Sequence, residues 1–166
     1  KSSRLTICFS SLLGKENNPN LVNIINSTNL KGRCDLVNKR FLLDVSHNPA
    51  SVLQLSRYIE RNYKKDHKIS AIFGVMQDKD VSDMVQSIKK YVSKWYATSP
   101  DIERSLSSVD LTNLLSELVT EEVVPTKSIK DAINTASEEP GTELVLIFGS
   151  FHTISEAFRV IKELES

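Results

Sequence analysis

The chain has 166 residues, with 21 basic and 21 acidic side chains, 40% hydrophobic and 25% charged residues. That length suits one domain, or one domain with a piece of another, and it can bury roughly 70% of its extended surface around a true core. The cancelled charge offers no bulk field to nucleic acid or an anionic membrane, and no apolar run approaches the ~20 residues that span a bilayer.

Two cysteines, Cys8 and Cys34, form neither a metal spacing nor a disulfide framework, which fits a reducing, cytoplasmic setting. The chain starts at Lys1 and carries only Met76 and Met84, so it reads as a piece of a longer protein.

Residues 1–30 are rich in Asn and Ser, carry the turn cluster Gly14-Lys-Glu-Asn-Asn-Pro19, and read as a linker or the tail of a preceding domain. The folded domain is expected over 31–166. Its first strand-like run is 40–43; Pro49 then suits the first turn of a helix carrying the loose stripe Val52, Leu55, Ile59. A strand over 69–73 precedes Val81, Met84, Val85 and Ile88, spaced i, i+3, i+4, i+7. A strand over 94–97 precedes Leu111, Leu114, Leu115 and Leu118 at the same spacing, and a weaker one over 122–124 precedes Ile129, Ala132, Ile133 and Ala136. The last strand, 144–148, is apolar throughout and leads to Ile154, Ala157, Phe158 and Ile161. Ser107 with Asp110, Ser128 with Asp131, and Thr153 with Glu156 have the spacing of capping boxes. Strands alternating with helices of this length predict an α/β fold: three-layer and Rossmann-like, a mostly parallel sheet with helices on both faces.

In such sheets ligands bind beyond the carboxyl ends of the strands. The polar stretches there are Asp44-Val-Ser-His47-Asn-Pro49, Gly74-Val-Met-Gln-Asp78-Lys79-Asp80, Thr98-Ser-Pro-Asp101 and Gly149-Ser150-Phe-His152, expected along one sheet edge. Asp44, at a strand tip, can accept from a ribose diol or cap the turn that follows. His47 can donate to phosphate or carboxylate oxygens beside free helix N–H groups, or serve only the structure. Ser150 can help form an anion pocket or simply cap the last helix. Asp80 reads as a helix cap and Lys79 with Asp78 as a surface pair. Arg33, after Gly32 in a turn, carries no chemistry alone. The chain has no phosphate-binding P-loop, Gly-x-Gly-x-x-Gly fingerprint, Gly-x-Ser-x-Gly elbow or His-Glu-x-x-His pair, so it lacks a phosphate cradle of its own.

Three of these segments occur in a telling order: 42–49 (LLDVSHNP), 71–80 (AIFGVMQDKD) and 145–153 (VLIFGSFHT). Together they resemble the C-terminal domain of the folylpolyglutamate synthase/dihydrofolate synthase family, within the Mur ligase superfamily. Trp95-Tyr-Ala, followed by Arg104, is similar to the family's segment between the second and third motifs. Asp-x-x-His-Asn-Pro alone reaches the wider superfamily, including ligases of cell-wall precursors; the Phe-Gly-Ser-Phe-His ending favours the folate branch.

The resemblance, which covers about residues 31–164, implies a domain of an ATP-dependent ligase. A pterin-linked carboxylate is activated as an acyl phosphate and attacked by the amine of L-glutamate. The implied substrates are L-glutamate with dihydropteroate or folates, and the implied cofactors are ATP and Mg²⁺. The phosphate loop and magnesium ligands are expected in an N-terminal ATPase domain of the same polypeptide, so this fragment alone is expected to be inactive. Residue by residue, the resemblance implies that Arg33 and Asp44 contact ATP, that His47 is catalytic near the transferred phosphate or the incoming glutamate, and that Ser150 helps bind glutamate. Two rival readings are a cell-wall precursor ligase and a non-catalytic nucleotide-binding or interaction module.

Overall fold

The computed structural model describes residues 32–164; the linker or tail expected over 1–30, and Cys8 with it, lies outside the described residues. In chain order the elements are β1 (Asp35–Val37), β2 (Phe41–Asp44), α1 (Pro49–Asn62), β3 (Ile69–Phe73), α2 (Val81–Ile88), β4 (Val92–Ala97), α3 (Ser108–Leu118), β5 (Val123–Pro125), α4 (Ile129–Glu138), β6 (Leu144–Phe148) and α5 (Phe151–Glu163). They build one six-stranded sheet in the order β1-β2-β6-β3-β4-β5. Every neighbouring pair is parallel except β1 with β2. The fold is therefore α/β, as the alternating pattern predicts. Among the described residues no helix is long and apolar enough to cross a membrane.

The pleat divides the core in two. Leu42, Ala71, Phe73, Trp95, Leu146 and Phe148 face α1, α2 and α3. Phe41, Leu43, Ile72, Tyr96, Val145 and Ile147 face α4 and α5. Because successive strand residues point to opposite faces, a strand covered on both sides must be apolar at every position, and β6 is. The helices start where the polar punctuation indicates. Asn48 caps α1 with Pro49 in the first turn, Asp80 caps α2, Ser107 caps α3 and Ser128 caps α4.

Three local expectations are corrected. The strand β1 was not expected; three residues beginning with an acid carry no period, and only the free edge of β2 makes them a strand. Leu114 is exposed rather than buried with Leu111 and Leu115, because α3 presents a narrow face to the outer strands. Thr153 does not cap α5: the helix begins at Phe151 with Ser150 as its cap, and Thr153 is buried in the first turn.

Under the tips of β3 and β6 lies an aromatic cluster. Phe73 and Phe148 stack with centroids 4.6 Å apart, and Trp95 packs on both at 6.2 and 6.3 Å. Phe73 and Phe148 are the last residues of their strands, so this cluster sets the height from which the following loops depart. Truncating Phe148 to Ala is expected to cost about 3–5 kcal/mol, read as a lowered midpoint in urea unfolding.

Candidate functional site

The tips of the central strands end level, with Asp44 opposite Phe148 and Phe148 opposite Phe73. The helices that follow β2 and β3 cover one face and the helix that follows β6 covers the other. The connections therefore part above β6, and the crevice between them is the place where open parallel sheets take ligands. A cleft of about 160 Å³ lies here. Its walls are His47 from the β2 loop, Met76 and Lys79 from the β3 loop, Ile102 and Arg104 from the β4 loop, and Ser150, Phe151 and His152 at the head of α5. Ligand pockets usually measure about 300–1,000 Å³, so this one has the size of a half-site.

The loops after β3 and β6 touch. Gly149 sits at φ +119°, and a Cβ there would stand 2.4 Å from the Gly74 carbonyl oxygen. Only glycine combines that backbone angle with that approach. The turn delivers Ser150 as the N-cap of α5, its Oγ accepting from the Thr153 N–H at 3.0 Å. The Thr153 hydroxyl donates to the Gly74 carbonyl at 2.7 Å, so the Ser150 hydroxyl donates to Thr153 Oγ1, also at 2.7 Å. The Ser150 proton is thus spent inside the protein, and what the head of α5 offers an anion is its unpaired backbone N–H groups.

His47 is held on two sides. Its Nδ1 lies 3.0 Å from the Val45 carbonyl, and its ring packs 5.4 Å from that of Phe151. A carbonyl can only accept, so Nδ1 carries the proton and Nε2 keeps the lone pair in the neutral ring. Phe151 is 56% exposed, an uncommon position for a large apolar ring, and forms the rim of the cleft beside it.

The opposite rim is cationic. The loops after β3 and β4 are joined by the Gln77 N–H donating to the Arg104 carbonyl at 3.0 Å and by an antiparallel bridge between Met76 and Ser105. Lys79 Nζ lies 2.8 Å from Asp78 and Arg104 lies 3.7 Å from it. The Lys79 hydrogen bond, then its charge and that of Arg104, hold the Asp78 carboxyl below the usual carboxylate range. These are solvent-exposed pairs with little stabilising weight, so an anionic ligand can exchange for Asp78 at small cost.

The residues singled out from the sequence fall into two groups. His47 and Ser150 share the cleft. Asp44 is buried beside it at the tip of β2, and the Gly32–Arg33–Cys34 turn docks against Asp44, with Arg33 exposed. The cleft adds Lys79, Arg104 and Phe151. Lys79 does pair with Asp78 as read, yet it also lines the cleft, and its place in a strand-end loop was the available signal. Phe151 stood in such a stretch as well, but its contact with His47, in a different loop, left no mark along the chain. Among the described residues no three His, Cys, Asp or Glu side chains gather as a metal site. Ser150→Ala is expected to lower stability by about 1 kcal/mol through the lost cap, while Ser150→Asp keeps the cap; comparing their thermal midpoints tests whether capping is what the side chain does.

The pattern of the family described as Mur ligase, glutamate ligase domain matches residues 32–151. The dihydrofolate synthase/folylpolyglutamate synthase of Buchnera aphidicola subsp. Schizaphis graminum is 32% identical over 142 residues, which are 84% of this chain and 33% of that protein. The protein of the same name from Escherichia coli K12 is 28% identical over 140 residues, 82% of this chain and 32% of its own length. Among solved structures, E. coli FolC in complex with DHPP and ADP superposes with a TM-score of 0.75 at 27% identity, covering 92% of this chain and 36% of that one. A bifunctional folylpolyglutamate synthase/dihydrofolate synthase with Mn, AMPPNP and L-glutamate bound gives 0.69 at 25% identity, covering 82% and 32%. The chain spans about a third of the length of the curated relatives it matches.

Proposed function

Because the chain belongs to the Mur ligase family, as its glutamate ligase domain, we propose that it forms one wall of the active site of a cytoplasmic ATP-dependent ligase that joins L-glutamate to dihydropteroate, to folates, or to both. The observation that carries this reading is the half-sized cleft at the sheet's switch point, with a cationic rim, a helix N-terminus and an oriented histidine. Its cations and helix N–H groups suit anions, and none of them is a phosphate loop. The remaining wall, with the loop and the metal ligands, belongs in this reading to a preceding ATPase domain of the same polypeptide, with residues 1–30 as the linker to it or its tail. The curated relatives are about two and a half times as long, and solved ones hold ADP, or AMPPNP with Mn and L-glutamate.

In the proposed reaction the substrate carboxylate takes the terminal phosphoryl group of ATP, and the amine of glutamate then displaces phosphate to leave the amide. This chain's residues position and neutralise. Arg33 and Asp44 serve the nucleotide side, with the Arg33 guanidinium offsetting phosphate charge. Lys79, Arg104 and the N–H groups at Ser150–His152 hold the carboxylates of glutamate against the apolar wall of Met76, Ile102 and Phe151. The Nε2 of His47, left with its lone pair by the Val45 hydrogen bond on Nδ1, accepts a proton from the incoming ammonium or, once it carries one, donates it to the departing phosphate. Electrostatic stabilisation supplies most of the rate in phosphoryl transfer, which is why this wall alone is expected not to catalyse.

The test is ATP-dependent addition of glutamate to dihydropteroate and to tetrahydrofolate by the full-length protein. His47→Ala is expected to lower kcat/KM by ~10²-fold or more, and Lys79→Ala to raise the glutamate KM with a smaller change in kcat. Use of neither pterin substrate, with activity on a cell-wall precursor, would assign the enzyme to another branch. Full activity of His47→Ala would make the histidine structural. No ligation of any kind, with nucleotide binding intact, would favour a chemistry-free module.

A further inference from the structure

Asp44 is 6% exposed, and its carboxylate is crowded with donors. Oδ1 accepts from the Ser46 N–H at 2.8 Å and from the Ser46 hydroxyl; Oδ2 accepts from the Cys34 N–H at 2.9 Å and from the Cys34 thiol at 3.4 Å. A carboxylate has about four lone-pair sites, and here all are taken by this chain's own groups. Its effect on a ligand must therefore pass through what it holds.

What it holds is the turn bearing Arg33. On one side of that residue the Val45 N–H donates to the Gly32 carbonyl at 2.6 Å, and Gly32, at φ +95°, packs where a Cβ would meet Val45 and Ile154 at 2.9 and 2.8 Å. On the other side Cys34 adopts φ +50°, a conformation uncommon for a residue with a side chain, and is secured to Asp44 twice. Arg33 is thus bracketed by two anchored residues. Burial, and then the Asp44 charge, push the pKa of the Cys34 thiol far above its usual value, so it stays an S–H donor. Ser46 ties the same carboxylate to the cleft, because its carbonyl accepts from the Gly149 N–H at 3.0 Å.

We propose that Cys34 and Ser46 are positioning residues, whose thiol and hydroxyl lock the Asp44 carboxylate in one orientation and, through it, seat the Arg33 turn for an anionic nucleotide. This rests on the nucleotide-side reading above and deepens it. Without the two side-chain donors the carboxylate keeps two backbone partners, so the fold survives while the turn loses its fixed aim.

The experiment measures the ATP KM, glutamate KM, kcat and thermal midpoint of the full-length protein carrying Arg33→Ala, Cys34→Ala, Cys34→Ser or Ser46→Ala. Arg33→Ala is expected to raise the ATP KM. Cys34→Ala and Ser46→Ala should each raise it roughly 2- to 10-fold, the range of one net hydrogen bond, with the glutamate KM and kcat little changed. Cys34→Ser, which keeps a donor, should recover most of the loss. If Arg33→Ala raises the ATP KM while Cys34→Ala and Ser46→Ala do not, the inference is overturned and the nucleotide reading stands. If Arg33→Ala is silent, the nucleotide reading falls and the inference with it. A joint rise of both KM values with a lowered midpoint would mean general loosening, and would also overturn it.

Discussion

Two backbones come into close approach at the sheet edge. Gly149 passes the Gly74 carbonyl at a distance that excludes any side chain, and Thr153 closes the gap with a hydrogen bond to that same oxygen. This contact joins the loops after β3 and β6 into one surface and delivers the head of α5 to the cleft. It depends in turn on strands that end level, which the stacked Phe73 and Phe148 secure from below. Packing in the core and chemistry at the edge are therefore one constraint. A shift of either strand would separate the histidine from the helix N-terminus and from the cationic rim.

A second consequence concerns how polar groups are used. Three side chains at the strand ends are occupied by the protein itself: Ser150 by Thr153, Asp44 by Ser46 and Cys34, and Nδ1 of His47 by the Val45 carbonyl. Buried polar groups need partners, and these partners also orient the helix N–H groups and Nε2 of His47 and fix the turn that carries Arg33. Lys79 and Arg104 differ because their partner, Asp78, is solvent-exposed and easily exchanged. The site thus combines a rigid floor with a replaceable counter-ion at the rim. That suits a half-site completed by a second surface, since a charged rim left unpaired in water costs little until the site closes.

Much of this was legible from residues alone. Period-3.6 stripes and cap residues located all five α-helices described, and a continuous apolar run located β6, because burial on one stripe or on both faces leaves a direct mark on composition. The glycine-bearing and polar strand ends marked the site edge for a related reason: parallel strands must end together, and residues beyond them are not selected for burial. The unread parts are those whose meaning lies in a neighbour. The three residues of β1 are a strand only against β2, the choice between Ser150 and Thr153, both readable as caps, falls to Ser150 because Gly149 turns the chain there, and Leu114 is exposed because α3 covers the sheet margin.

The residue pattern of this chain was sufficient for its α/β architecture, for the sheet edge where the strand-end loops gather, and for naming Asp44, His47 and Ser150 as groups at that edge, since each follows from local periodicity and strand direction. Tertiary structure alone decided the long-range partners of those groups. The Cys34 donors on Asp44, the ring beside His47, and the meeting of Lys79 with Arg104 around one carboxylate each bring different loops together. Hydrogen bonds and ring contacts act over a few ångströms of space, and no spacing along the chain encodes which loops the sheet will bring that close.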